Sequence, residues 1–164
     1  GATPDVQAVQ VGGPSGTLLA PVEFRRILGY EDLATGGSII IFGKHRDLLK
    51  DVVLNFTEFF IDESCGSCST CRIMPVVLRN KLLKILNGKG VIKDIDDMLE
   101  WAKVLKASRC GLGQTAANPI VSSIKNFRHL YEQRVRMDTD FDSGFNLAES
   151  VKDYIEASGR VIVE

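Results

Sequence analysis

Three of the four cysteines fall within seven residues, in the stretch Glu63-Ser64-Cys65-Gly66-Ser67-Cys68-Ser69-Thr70-Cys71-Arg72, and the fourth is Cys110. Cysteines at i, i+3 and i+6 let one tight loop offer thiolates to three corners of an iron–sulfur cubane, and a distant fourth completes the set. Zinc also accepts four thiolates, but structural zinc sites usually use two separate Cys-x-x-Cys pairs, whereas the split here is three plus one. The spacing therefore favours a [4Fe–4S] cluster on Cys65, Cys68, Cys71 and Cys110. Zinc is the second reading and a metal-free core role the third. A disulfide framework is disfavoured, because cysteines so closely spaced cannot easily orient their Cβ atoms toward one another.

The neighbouring residues suit a cluster. Gly66 permits close backbone approach to a bulky cofactor, and Ser67, Ser69, Thr70 and local backbone N–H groups are candidate hydrogen-bond donors to sulfur. Arg72 and Arg109 flank ligand positions, where they either offset the negative thiolate cage or are solvated, with Glu63 as an alternative partner.

These loops need elements to hold them. Residues 1 to about 45 read as short strands: Val6–Val11, Thr17–Ala20 and Ser38–Phe42, with a tight turn at Gly12-Gly13-Pro14-Ser15-Gly16 and a short helix around Glu23–Leu28. The β-branched third strand is expected to be buried. From His45 the period becomes helical, with Leu48, Leu49, Val52, Val53, Phe56, Phe59 and Phe60 on one face. A second helix is expected from Pro75 to Leu86, a third from Asp94 to Ala107, and a fourth from Asn118-Pro119 through Tyr131. Four helices with short connections predict an antiparallel bundle. In up-down-up-down order, both cysteine-bearing connections lie at the same end. A tail helix is expected over Leu147–Ala157.

Composition excludes several classes. Lys plus Arg total 20 and Asp plus Glu total 21, a net of −1, so no bulk charge draws the chain to nucleic acid or an anionic membrane. Apolar residues at 45% and charged residues at 25% are ordinary for a globular protein. The longest apolar runs are too short to span a bilayer, and Gly1–Asp5 lack the features of a secretory signal. A soluble, cytoplasmic chain is expected.

The cysteine stretch, together with Ser108-Arg109-Cys110-Gly111-Leu112-Gly113-Gln114-Thr115 and Asn118-Pro119, resembles the C-terminal part of the NADH-binding flavoprotein subunit of respiratory complex I and its relatives in NAD-reducing hydrogenases and formate dehydrogenases. Gly29–Leu33, Arg46–Leu49 and Asp94–Met98 look closest to the hydrogenase diaphorase version. The likeness runs to about residue 155, and Thr70 departs from it, since the family usually has proline there. The resemblance implies an α+β chain: a partial SLBB, β-grasp-like segment over 1–45, an antiparallel four-helix bundle with the iron–sulfur site over 46–137, and a C-terminal tail over 138–164. It implies that the four cysteines bind a [4Fe–4S] cluster that takes electrons from NADH-reduced FMN and passes them to a partner, a ferredoxin-like iron–sulfur subunit. Membrane association would then come only through a larger complex.

The family's FMN and NAD sites belong to a glycine-rich α/β domain. Gly12–Gly16 is no dinucleotide fingerprint, so the chain is expected to be a fragment or one piece of a split subunit that alone neither binds nor oxidises NADH. No catalytic residue is assigned: His45 and His129 are expected at the surface, and no hydroxyl or thiol has an evident base. Asp138, Asp140, Asp142 and Glu149 match positions of a calcium loop, but Gly144 falls one position late and an acidic connection is the better reading.

Overall fold

The turn at Gly12-Gly13 forms because both glycines adopt positive φ, 88° and 63°. It joins β1 (Val6–Val11) to β2 (Thr17–Leu19), and β3 (Ile39–Gly43) pairs with the other edge of β1, giving an antiparallel sheet in the order β2-β1-β3. This computed structural model describes residues 5–136. The tail helix expected over 147–157 and the acidic stretch 138–149 lie outside the described residues.

Alternation along β1 and β2 splits the sheet between two cores. Ala8 and Leu18 join the main core shared with the helices, while Val11 and Leu19 form a small second cluster with Leu33. The third strand was expected to be buried, and it is not. Ile39, Ile40 and Ile41 are 52%, 38% and 62% exposed. Among the described residues its one strand neighbour is β1, and β-branched residues favour pairing at an edge as readily as burial. The helix expected over 23–28 is also absent; only a 3₁₀ turn, Pro21–Glu23, forms there.

Asp47 starts the helical part by accepting hydrogen bonds from the N–H groups of Leu49 and Lys50, at 3.1 and 3.2 Å. Its first stretch, Leu48–Leu54, is a π-helix that buries the doublets Leu48-Leu49 and Val52-Val53 and runs into α1 (Asn55–Asp62). Phe60 is buried, but Phe59 is 40% exposed, contrary to its place on the expected apolar face. The wider π turn rotates the residues that follow away from a regular helical stripe.

The second helix, α2 (Ser69–Leu86), begins before Pro75, which sits inside it and is buried. The short β4 (Gly90–Val91) leads into α3 (Ile92–Ala102), which tightens into a 3₁₀ stretch, Lys103–Ala107. A small helix, α4 (Gly111–Thr115), precedes α5 (Asn118–Glu132), and β5 (Val135–Arg136) returns to pair in parallel with β4. Helix α1 packs on α2, α2 on α3, and α3 on α5, with the π-helical stretch also against α5. Arg134 Nη2 closes this set through Asp47 Oδ2, 2.8 Å away.

The sheet lies on α5. Ser122 Oγ accepts the Leu18 N–H at 3.2 Å, and Asn126 Nδ2 donates to the Leu18 carbonyl at 2.7 Å. No helix among the described residues is long and apolar enough to cross a membrane.

Candidate metal centre

Helix α1 ends at Asp62, and the chain turns through Gly66, whose φ is +75°. A side chain there would be strained, although nothing lies within 4 Å of where its Cβ would stand. The turn delivers Cys68 to the N-cap of α2 in extended conformation, with its side chain making no capping hydrogen bond. Its sulfur is thus not used by the helix. Cys71 follows in the first turn. The positive end of an 18-residue helix favours negative charge at both positions.

The second connection is built similarly. Cys110 is the N-cap of α4, again extended and again without a side-chain cap. Ser108 just before it is buried, and Gln114 Nε2 donates to the Ser108 carbonyl at 2.9 Å. The hairpin turn of the sheet braces this segment. Thr115 Oγ1 donates to Ser15 Oγ at 3.2 Å and Asn118 Nδ2 to the Ser15 carbonyl at 2.6 Å.

The two connections touch. Thr70 Oγ1 and Ser108 Oγ are hydrogen-bonded at 3.0 Å. Gly113 lies so close that an added Cβ would stand 2.5 Å from Ser108 Cβ and 3.2 Å from Cys71 Cβ. Helices α2 and α4 are therefore in direct backbone-to-side-chain contact around Cys71.

Cys71 is buried, Cys68 half-buried, and Cys65 and Cys110 exposed; all four are free thiols. Among the described residues no group of three or more His, Cys, Asp or Glu side chains is gathered as the ligands of one ion would be. A cubane distributes its thiolates over separate irons, so its ligands stand farther apart than those of a single zinc.

Arg72 does not pair with Glu63; its Nη1 donates to the Gly66 carbonyl at 3.4 Å, folding the loop back onto α2. Arg109 is exposed, and neither arginine is in an ion pair among the described residues. Of the hydroxyls expected near sulfur, Thr70 faces Ser108 instead. The hydroxyl 3.4 Å from Cys71 Sγ is that of Ser64, which the spacing of the cysteines did not single out. His45 and His129 are exposed.

Residues 51–134 match the family model described as the NADH-ubiquinone oxidoreductase-F iron-sulfur binding region. The chain belongs to this family. Its cofactor is a [4Fe–4S] cluster. Among similar proteins, the NAD-reducing hydrogenase HoxS subunit alpha of Cupriavidus necator is 39% identical over 156 residues, 93% of this chain and 26% of that protein. The NADP-reducing hydrogenase subunit HndC of Solidesulfovibrio fructosivorans is 37% identical over 79% of this chain and 28% of its own length. A crystal structure of NAD+-reducing [NiFe]-hydrogenase in the H2-reduced state superposes with a TM-score of 0.78 at 33% identity, covering 96% of this chain and 28% of that one. The chain thus spans about a quarter of the length of the curated relatives it matches.

Proposed function

We propose that this chain is the electron-relay module of an NADH dehydrogenase or NAD-reducing hydrogenase complex, holding its [4Fe–4S] cluster on Cys65, Cys68, Cys71 and Cys110. The observation that carries the ligand set is the contact between the two cysteine connections through Thr70, Ser108, Cys71 and Gly113. Bound there, the cluster supplies one-electron chemistry.

The chain's own residues hold and shield it. Cys71 anchors the inner side, buried against α4, while Cys65 and Cys110 leave an outer side open for electron exchange. The exposed Arg72 and Arg109 offset the negative charge of four thiolates. In this reading electrons arrive from NADH-reduced FMN, bound on a domain outside these 164 residues, and leave to a ferredoxin-like iron–sulfur subunit. The pairing of α1, α2, α3 and α5 supports an antiparallel four-helix bundle over 46–137. The segment 1–45, which carries the sheet, is read as part of an SLBB, β-grasp-like unit, and 138–164 as the C-terminal tail of the chain. The setting proposed is cytoplasmic, with any membrane contact made through the complex.

Anaerobic reconstitution with iron and sulfide tests this. About four irons and four sulfides per chain, with an iron–sulfur EPR signal after dithionite, is the expected result. A colourless protein that takes up one zinc instead overturns it.

A further inference from the structure

Ser64 lies outside the ligand set, on the last turn of chain before Cys65. Its Oγ is 3.4 Å from Cys71 Sγ. The same oxygen accepts the Gly66 N–H, also at 3.4 Å. A serine hydroxyl has one proton and two lone pairs. With a lone pair taken by Gly66, its proton is free to point at sulfur. A metal-bound thiolate carries no proton, so in the loaded protein only the hydroxyl can be the donor.

The position of that sulfur matters. Cys71 is 6% exposed, the one buried cysteine of the four. Water hydrogen-bonds readily to sulfurs at the exposed Cys65 and Cys110, but Cys71 depends on the protein for donors. The positive φ of Gly66 bends the loop so that its N–H meets Ser64, and Arg72 Nη1 holds the Gly66 carbonyl from the other side. The Ser64 hydroxyl is thereby oriented by two direct partners, the Gly66 N–H and the Cys71 sulfur, with Arg72 acting only through the Gly66 carbonyl.

We infer that Ser64 is a positioning residue that tunes the cluster through a hydrogen bond from its hydroxyl to Cys71 Sγ. Such bonds stabilise the more negative, reduced form and raise the reduction potential. The inference rests on the proposed ligand role of Cys71.

The test is a redox titration followed by EPR on the reconstituted 164-residue chain, comparing wild type with Ser64→Ala and Ser64→Thr. Ser64→Ala is expected to disfavour reduction about tenfold, a fall of about 59 mV for one electron, while Ser64→Thr keeps the wild-type potential. An unchanged potential in Ser64→Ala overturns the inference. Loss of the cluster in Ser64→Ala but not in Ser64→Thr also assigns the hydroxyl to the sulfur. Loss in both variants overturns it and makes Ser64 a packing residue. A wild-type chain that takes up no cluster fails earlier, at the relay function itself, and is told apart from all of these by iron analysis before any titration.

Discussion

The Thr70 hydroxyl is bonded to the Ser108 hydroxyl at 3.0 Å, and this bond joins the two cysteine connections. Ser108 is 3% exposed, so its hydroxyl cannot turn to water if Thr70 is lost. Where the resemblance calls for a rigidifying proline, this chain has a side chain that reaches across to the second connection instead. Thr70→Val keeps the shape and removes the bond. It should cost about 1–2 kcal/mol in chemical denaturation, and a cycle with Ser108→Ala should show coupling of more than about 0.5 kcal/mol. Additive effects of the two changes would show that the hydroxyls act separately.

Gly113 reverses an ordinary helix rule. Alanine in place of glycine usually stabilises a helix by up to about 1 kcal/mol. Here the new methyl would stand 2.5 Å from Ser108 Cβ and 2.8 Å from Ser108 Oγ. Gly113→Ala should therefore destabilise by about 1–3 kcal/mol, and cluster uptake should fall with it. A rise in melting temperature would refute the close contact between Gly113 and Ser108.

Cys110→Ala should abolish the cluster or convert it to a three-iron form, while His129→Ala on exposed helix surface should leave it intact. Iron content and EPR line shape separate the two. Equal and negligible effects would remove Cys110 from the ligand set.

Asp94 gives the fold a pH dependence of definite sign. Burial alone would raise its carboxyl, but hydrogen bonds from Lys81, from Lys84 (2.8 Å) and from the Val91 N–H (2.9 Å) overcome this and hold it below the usual carboxylate range. Lys81 is likewise opposed by its own burial, yet Asp94 and Asp97 raise it above the usual lysine value. The carboxylate's contribution is complete above its unfolded value, about 3.9, and is lost as pH falls through the lower folded value. That of the lysine is complete below about 10.4 and is lost as pH rises through the higher folded value. Asp94→Asn should cost about 2–3 kcal/mol at neutral pH and flatten the acid limb of the stability profile. An acid limb identical to wild type would assign it to other carboxylates.

The exposed edge strand makes a plain contrast. Ile41→Thr, at a residue 62% exposed, should change stability by less than about 0.5 kcal/mol. Leu18→Ala, at a residue 1% exposed, should cost about 2–5 kcal/mol. Urea denaturation of both variants decides it. Comparable losses would mean that β3 is covered in solution.

Much of this molecule is written locally. Helical periodicity from Leu48, the Asn118-Pro119 start of α5, the Gly12-Gly13 turn and the cysteine cluster all depend on residues a few positions apart, and all are legible along the chain. Start points were less so. Pro75 marked a helix start by its usual preference, yet the helix begins at Ser69, because first-turn contacts of Thr70 and Cys71 outweigh the one intrahelical donor that proline withholds from the Cys71 carbonyl. What could not be read was which groups meet across the fold. Ser64, Ser67, Ser69 and Thr70 are equally good hydroxyls in sequence, but only the bend at Gly66 turns Ser64 to the Cys71 sulfur, and only the packing of α4 on α2 turns Thr70 to Ser108. The pairing of Gly90 with Val135 and the exposure of Ile39–Ile41 have the same origin. Residue type sets what a side chain can do; the long-range contacts that close the core set what it faces.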